Sequence, residues 1–201
     1  MFAGDSKKQL YKKVIGGKVP NSVCLKAVRA QCAKIPEYLN RCTVKYGEDL
    51  LLSVNLITQC PQIVYLNEGL YHYRKRPGSA VHFVNVRVIN DSVKTVHTEL
   101  EKYIDQWEIP ELKALHSARK VKGWVYNLVV LIKDRKYMPK QEYRDILYAM
   151  ATEPYFCHAY KKMDRSLLSY YERSLAWCLY HRQYGALTIL HGIKKLVRKD
   201  E

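Results

Sequence analysis

"KYGEDLLLSVNLITQCPQIVYLNEGLYHYRKRPGSAVH", residues 45–82, is the stretch on which the reading of this chain turns. Gly47 precedes two acids and an apolar run, so a helix is expected from there to about Gln59, ended by Pro61, which cannot continue it. Acids in a first turn face the partial positive charge of the helix start, worth about 0.3–1 kcal/mol each. "QIVYL" (62–66) follows as a β-rich run, Asn67-Glu68-Gly69 as a turn and "LYHYR" (70–74) as a second strand. Pro77-Gly78 closes the unit.

Upstream, residues 5–15 read as a short helix stopped by Gly16-Gly17. "NSVCLKAVRA" (21–30) fits strand and helix equally. Downstream of residue 82 the character changes, and apolar residues fall at helical spacing. Val93, Val96, Leu100, Ile104 and Trp107 form a first stripe, and Pro110 marks a new start. Val121, Val125, Leu128 and Ile132 make the second, and Tyr143, Ile146, Leu147 and Met150 the third. Leu168, Tyr171, Leu175 and Cys178 make the fourth, with Ala186, Leu190, Ile193 and Val197 as the last. The expected fold class is mixed α/β but predominantly helical. A small α/β portion (1–85) with a few short strands precedes an all-α extension (86–201).

At 201 residues with 48% hydrophobic side chains, the chain can bury a real core and does not read as disordered. A net charge of +15 favours anionic partners: nucleic acid, acidic lipid or phosphorylated substrates. The six cysteines include no Cys-x-x-Cys pair, which argues against a zinc knot or a disulfide framework and for reduced thiols in the cytoplasm. "MFAGDSKKQLYKKVIGG" lacks the apolar core of a signal peptide, and "GWVYNLVVLI" (123–132) falls well short of the ~20 apolar residues of a membrane span. A cytoplasmic protein, at most peripheral to a membrane, is expected.

Glu48 and Asp49 are the candidate catalytic pair. Glycoside hydrolysis would need two carboxylates facing one bond some ~5–9 Å apart. Adjacent helix residues point about 100° apart and do not face one another. One acid acting as a base, with its neighbour structural, is the better reading, since a helix start favours ionised carboxylates. The order "GEDLLL", helix, "QIVYLNEGLYHYRKRPGS" and long helices resembles the C-terminal half of family 2 glycosyltransferases. The matching residues are Glu48-Asp49, Tyr71-His72-Tyr73-Arg74 and Ser79, with Asn21, Ser22, Lys26 and Arg29 similar to the family's upstream Asn-Ser-x-x-x-Lys-x-x-Arg run. The resemblance covers roughly residues 5–85.

That resemblance implies a fold of the GT-A type and an inverting transfer of sugar from a nucleotide-diphospho-sugar to an acceptor hydroxyl. It assigns proton abstraction from the acceptor to Asp49 and orientation of the loop or acceptor to Glu48. The acceptor would be a sugar or a lipid-linked sugar, as in cell-surface polysaccharide or glycolipid synthesis. The family also uses a divalent metal, Mg or Mn, held by an Asp-x-Asp motif. This chain contains no Asp-x-Asp, no Gly-rich phosphate loop and no alternating β/α run before residue 21. The expectation is therefore an acceptor-side half, with the donor-binding half upstream or on a separate chain.

Arg74, Arg76 and His72 are candidate substrate-binding residues, because guanidinium matches diphosphate oxygens. A solvated cluster Arg74-Lys75-Arg76 is the simpler alternative. Tyr71 and Tyr73, sharing one strand face, are expected to pack on the Glu48–Gln59 helix rather than to stack on sugar. The other histidines show no metal-ligand spacing. Lys194, Lys195, Arg198 and Lys199 flank the last apolar stripe, making an anionic membrane surface a candidate partner, although plain bundle packing is the preferred reading of that helix. Two further function classes stand beside the transferase: a basic nucleic-acid-binding module, disfavoured because the cations are spread over all helices, and a non-catalytic interaction domain derived from a transferase.

Overall fold

Gly47 is where the first half of the chain is pinned. It starts helix α2 (Glu48–Gln59) from a left-handed backbone, φ 91°. A Cβ there would lie 3.0 Å from Val96 Cγ2, so the dihedral favours glycine and a side chain would also have to displace Val96 by a few tenths of an ångström. These coordinates are a computed structural model describing residues 1–35, 44, 46–72, 74 and 86–197, with backbone alone at 86–88 and 193–197. The chain is predominantly helical and forms two compact units, Met1–Leu112 and Lys113–Glu201.

In the first unit, α2 packs on helix α3 (Val86–Trp107). Leu50, Leu51, Val54 and Ile57 are buried on α2, and Val96, Leu100, Tyr103 and Ile104 on α3. Helix α1 (Lys7–Ile15), preceded by a 3₁₀ turn at Gly4–Ser6, buries Leu10, Tyr11, Val14 and Ile15. It ends at Gly16-Gly17, with Gly17 left-handed at φ 69°, as its stop signal requires. Tyr11 stacks on Trp107 with centroids 3.9 Å apart and planes 7° from parallel. The Lys7 ammonium donates to the carbonyls of Thr58 (3.2 Å) and Cys60 (2.9 Å), capping the C-terminus of α2 with a cation.

The same contact corrects the expected hairpin. The N-terminus is drawn beside the chain leaving α2, so β1 (Phe2–Ala3) pairs antiparallel with β2 (Gln62–Ile63), Phe2 opposite Ile63. The 62–66 run is a strand only at its first two residues, and 70–72 and 74 are not strand. Leu70 N–H bonds back to the Glu68 carbonyl at 3.1 Å; a turn this tight leaves no ladder. Val64, Tyr65, Leu66, Leu70 and Tyr71 are exposed, so Tyr71 does not pack in the core beside α2 as expected. Tyr73 lies outside the described residues. The ambiguous run 21–30 is neither strand nor α-helix: it holds a 3₁₀ turn at Val23–Leu25, and a second follows at Ala30–Cys32.

The second unit holds α4 (Glu111–Asp134, entering from the end of the first), α5 (Lys140–Thr152), α6 (Pro154–Lys162), α7 (Tyr170–Tyr180) and α8 (Tyr184–Val197). Three stripes are buried as expected, through Val121, Val125, Leu128, Ile132, Tyr143, Ile146, Leu147, Met150, Leu175 and Cys178. Helix α6, with Pro154 at its first turn, carries an aromatic set the stripes did not identify. Phe156 is fully buried near Trp124 (centroids 6.5 Å), and Tyr160 stacks on Tyr180 at 4.3 Å. Trp124 Nε1–H donates to the Met150 carbonyl at 3.1 Å, which satisfies the one polar group of a buried indole. On α8 the buried residue is Leu187, outside the expected stripe, whose Ala186 and Leu190 are half-buried. Among the described residues no helix is long and apolar enough to cross a membrane.

Candidate active site

Helix α2 orients its two leading acids differently. Glu48, the first helical residue, is exposed, and Asp49, one step round the helix, is half-buried. Both lie in the first turn, where backbone N–H groups lack intrahelical partners and a negative charge is stabilised. The turn is closed by Leu50 N–H on the Gly47 carbonyl at 3.1 Å.

The segment 18–35 runs along α2 and is fastened to it from end to end. Buried Ser53 donates its hydroxyl to the Asn21 carbonyl. Farther along, Asn55 Nδ2 and Gln59 Nε2 both donate to the Lys34 carbonyl, at 2.9 and 2.8 Å. Asn55 Oδ1 also accepts from Gln59 Nε2 (2.8 Å) and from the Tyr103 hydroxyl (3.2 Å), so both the oxygen and the nitrogen of the buried amide have partners. Thr58 Oγ1 accepts from Trp107 Nε1 at 3.2 Å. A polar edge on an otherwise apolar helix therefore serves to lay this segment down.

That fastening brings Lys26 to Asp49. The Lys26 ammonium donates to the carbonyls of Ser22 (2.8 Å) and Pro20 (3.3 Å), which occupy two of its three protons. Burial pulls it below the usual lysine range, and the nearby Asp49 carboxylate opposes this by favouring the charged form. Beside it, Asn21 Oδ1 is buried without a hydrogen-bond partner among the described residues. The cluster is thus a carboxylate at a helix start, a cation held by two carbonyls and an unsatisfied amide oxygen.

Of the residues expected at the site, Asp49 and Glu48 stand at the start of α2, the former beside Lys26. His72 and Arg74 are exposed in irregular chain beyond β2. Arg76, Lys75 and Ser79 lie outside the described residues. Lys26 and Asn21 belong to the site although the spacing of the two motifs in the chain does not place them together; the signal was the buried polar positions Ser53 and Asn55 on α2. Among the described residues no three His, Cys, Asp or Glu side chains converge to hold a metal ion.

The second unit has a shallow cavity of about 350 Å³ lined by Ala151, Cys157, Lys161, Tyr180, His181 and Arg182. Its cations sit at the C-terminal ends of α6 and α7, where the helix dipole favours them without a ligand. Burial pushes the Cys157 thiol up, against Lys161 and Arg182, which pull it down.

No family model, curated protein or solved structure matches this chain.

Proposed function

We propose that the chain is the acceptor-side half of an inverting, family 2-like glycosyltransferase, with Asp49 as the catalytic base. The observation that carries this is the convergence of two motifs distant in sequence, Asn21–Lys26 and Glu48-Asp49, at the start of one helix. A neutral hydroxyl is a poor nucleophile, and a positioned base is worth about 10²–10⁴-fold. In the proposed step an Asp49 carboxylate oxygen takes the acceptor's O–H proton. The freed electron pair forms the new bond to the anomeric carbon from the face opposite the departing group. The old anomeric C–O bond breaks as nucleoside diphosphate leaves with its electrons, and the configuration inverts.

Asn21 Oδ1 suits a hydroxyl donor from the acceptor, and Lys26 holds the segment that carries Asn21. Glu48 orients the entering chain or touches the acceptor, Arg74 and Arg76 contribute charge toward the diphosphate, and His72 offers a ring nitrogen beside them. In this reading the role of this chain is proton transfer and acceptor positioning. Such a reaction belongs at the cytoplasmic face of a membrane, with an anionic surface as a second contact.

The test is release of nucleoside diphosphate from a panel of UDP-, GDP- and dTDP-sugars by the protein expressed from its native reading frame. Acceptor-dependent release that falls at least 10²-fold in Asp49→Asn is expected. Turnover indifferent to that change overturns the assignment of the base. RNA or DNA binding that weakens steeply with salt, without turnover, favours the nucleic-acid module. Partner-protein binding that survives Asp49→Asn, again without turnover, favours the interaction domain.

A further inference from the structure

The fastening of segment 18–35 onto α2 also brings two thiols together. The Ala30–Cys32 turn, closed by Cys32 N–H on the Arg29 carbonyl at 2.8 Å, ends two residues before Lys34. The Lys34 carbonyl is held by Asn55 and Gln59 of the last turns of α2, and Cys60 follows Gln59 directly. The Cys60 carbonyl is fixed in turn by Lys7 at 2.9 Å. Both ends of the gap are thus tied to the same helix terminus, which places Cys32 and Cys60 beside one another. Both are half-buried and free, which leaves a path for a small oxidant.

We propose that Cys32 and Cys60 are an oxidation site, at which a peroxide-class oxidant joins the two sulfurs into a disulfide that clamps segment 18–35 onto the end of α2. One thiol, as its thiolate, attacks a peroxide oxygen and becomes a sulfenic acid as the O–O bond breaks, releasing one water once protonated. The second sulfur attacks the sulfenic sulfur, expelling its hydroxyl as a second water. In net terms two thiols and hydrogen peroxide give one disulfide and two waters. A disulfide needs Cα atoms within about 7 Å, and the bonds that hold Lys34 and Cys60 at the end of α2 act to keep the two residues close. Burial, reinforced by Cys32, holds the Cys60 thiol above its usual range, while the Lys7 ammonium acts the other way. Cys24 is exposed and bonded to Ser22 at 2.9 Å, and it is the nearest competitor in sequence.

The inference stands apart from the transferase reading, and its test does not use activity. The reduced protein is treated with hydrogen peroxide, its remaining thiols are alkylated, and it is digested without reductant for mass spectrometry. The expected product is a peptide pair joined through Cys32 and Cys60, lacking two hydrogens and released by dithiothreitol. The oxidised wild type should melt several degrees above the reduced form, because a closed loop restricts the unfolded chain, and Cys32→Ser should abolish both the product and the shift. A cross-link through Cys24 or Cys42, overoxidation to sulfinic acid without any link, or no reaction overturns the proposal.

Discussion

His116 provides the sharpest quantitative test of the second unit. It lies on α4 with 4% of its surface exposed. Its pKa is pulled from 6.5 to about 3, first by burial and then by the cations of Lys120 and Arg119. The unfolded chain takes up a proton as pH falls through 6.5, and the folded chain does not until near 3. Stability is therefore fully present above 6.5 and falls below it, by about 1.4 kcal/mol per pH unit. Between pH 7.5 and 4 the loss comes to about 3 kcal/mol, a large share of the ~5–15 kcal/mol that holds a typical domain folded. Carboxylates such as Glu172, whose pKa is lowered in the folded state, also weaken the fold on acidification, so the comparison must be differential. Urea unfolding followed by circular dichroism at pH 7.5 and 4, on the wild type and His116→Gln, isolates the term. The variant should lose about 3 kcal/mol less on acidification than the wild type. Equal losses would show that this imidazole is not held neutral by burial, and the packing of α4 described here would be wrong.

Two further substitutions probe local geometry. Gly47→Ala places a Cβ at φ 91° and 3.0 Å from Val96 Cγ2, and should cost about 2 kcal/mol, read as a lowered thermal midpoint; an unchanged melt would mean that α2 does not start from a left-handed residue. Ser169→Ala removes a capping box in which Ser169 Oγ accepts from Glu172 N–H at 3.3 Å and Glu172 Oε2 accepts from Ser169 N–H at 2.8 Å. It should cost about 1 kcal/mol by denaturant titration, and a neutral result would refute the cap.

Much of the helical architecture was legible before any coordinates. The start and stop of α2, the stop of α1 and the buried faces of α3, α4 and α5 follow from Gly47, Pro61, Gly16-Gly17 and apolar spacing, because a helix closes its hydrogen bonds locally and needs only one face to bury. Helix α6 escaped because its core residues, Phe156, Ala159 and Tyr160, alternate with polar ones too briefly to register as a stripe. At the site, Asp49 was legible as a first-turn acid, but its neighbourhood with Lys26 and Asn21 was not.

What the sequence determined by itself was the set of elements that form from near neighbours: the helices, their glycine and proline boundaries, and the carboxylates at a helix start. What only the tertiary structure decided was every pairing that depends on distant segments. Strand β2 pairs with Phe2–Ala3 rather than "LYHYR", and Lys7, reaching the carbonyls of Thr58 and Cys60, holds the N-terminus there. Segment 18–35 took its place because buried Ser53 and Asn55 had polar groups to satisfy, with exposed Gln59 adding a second bond to the Lys34 carbonyl. A strand or an irregular segment has no internal ladder to satisfy its backbone, so its partner is chosen by whatever the folded chain brings within reach.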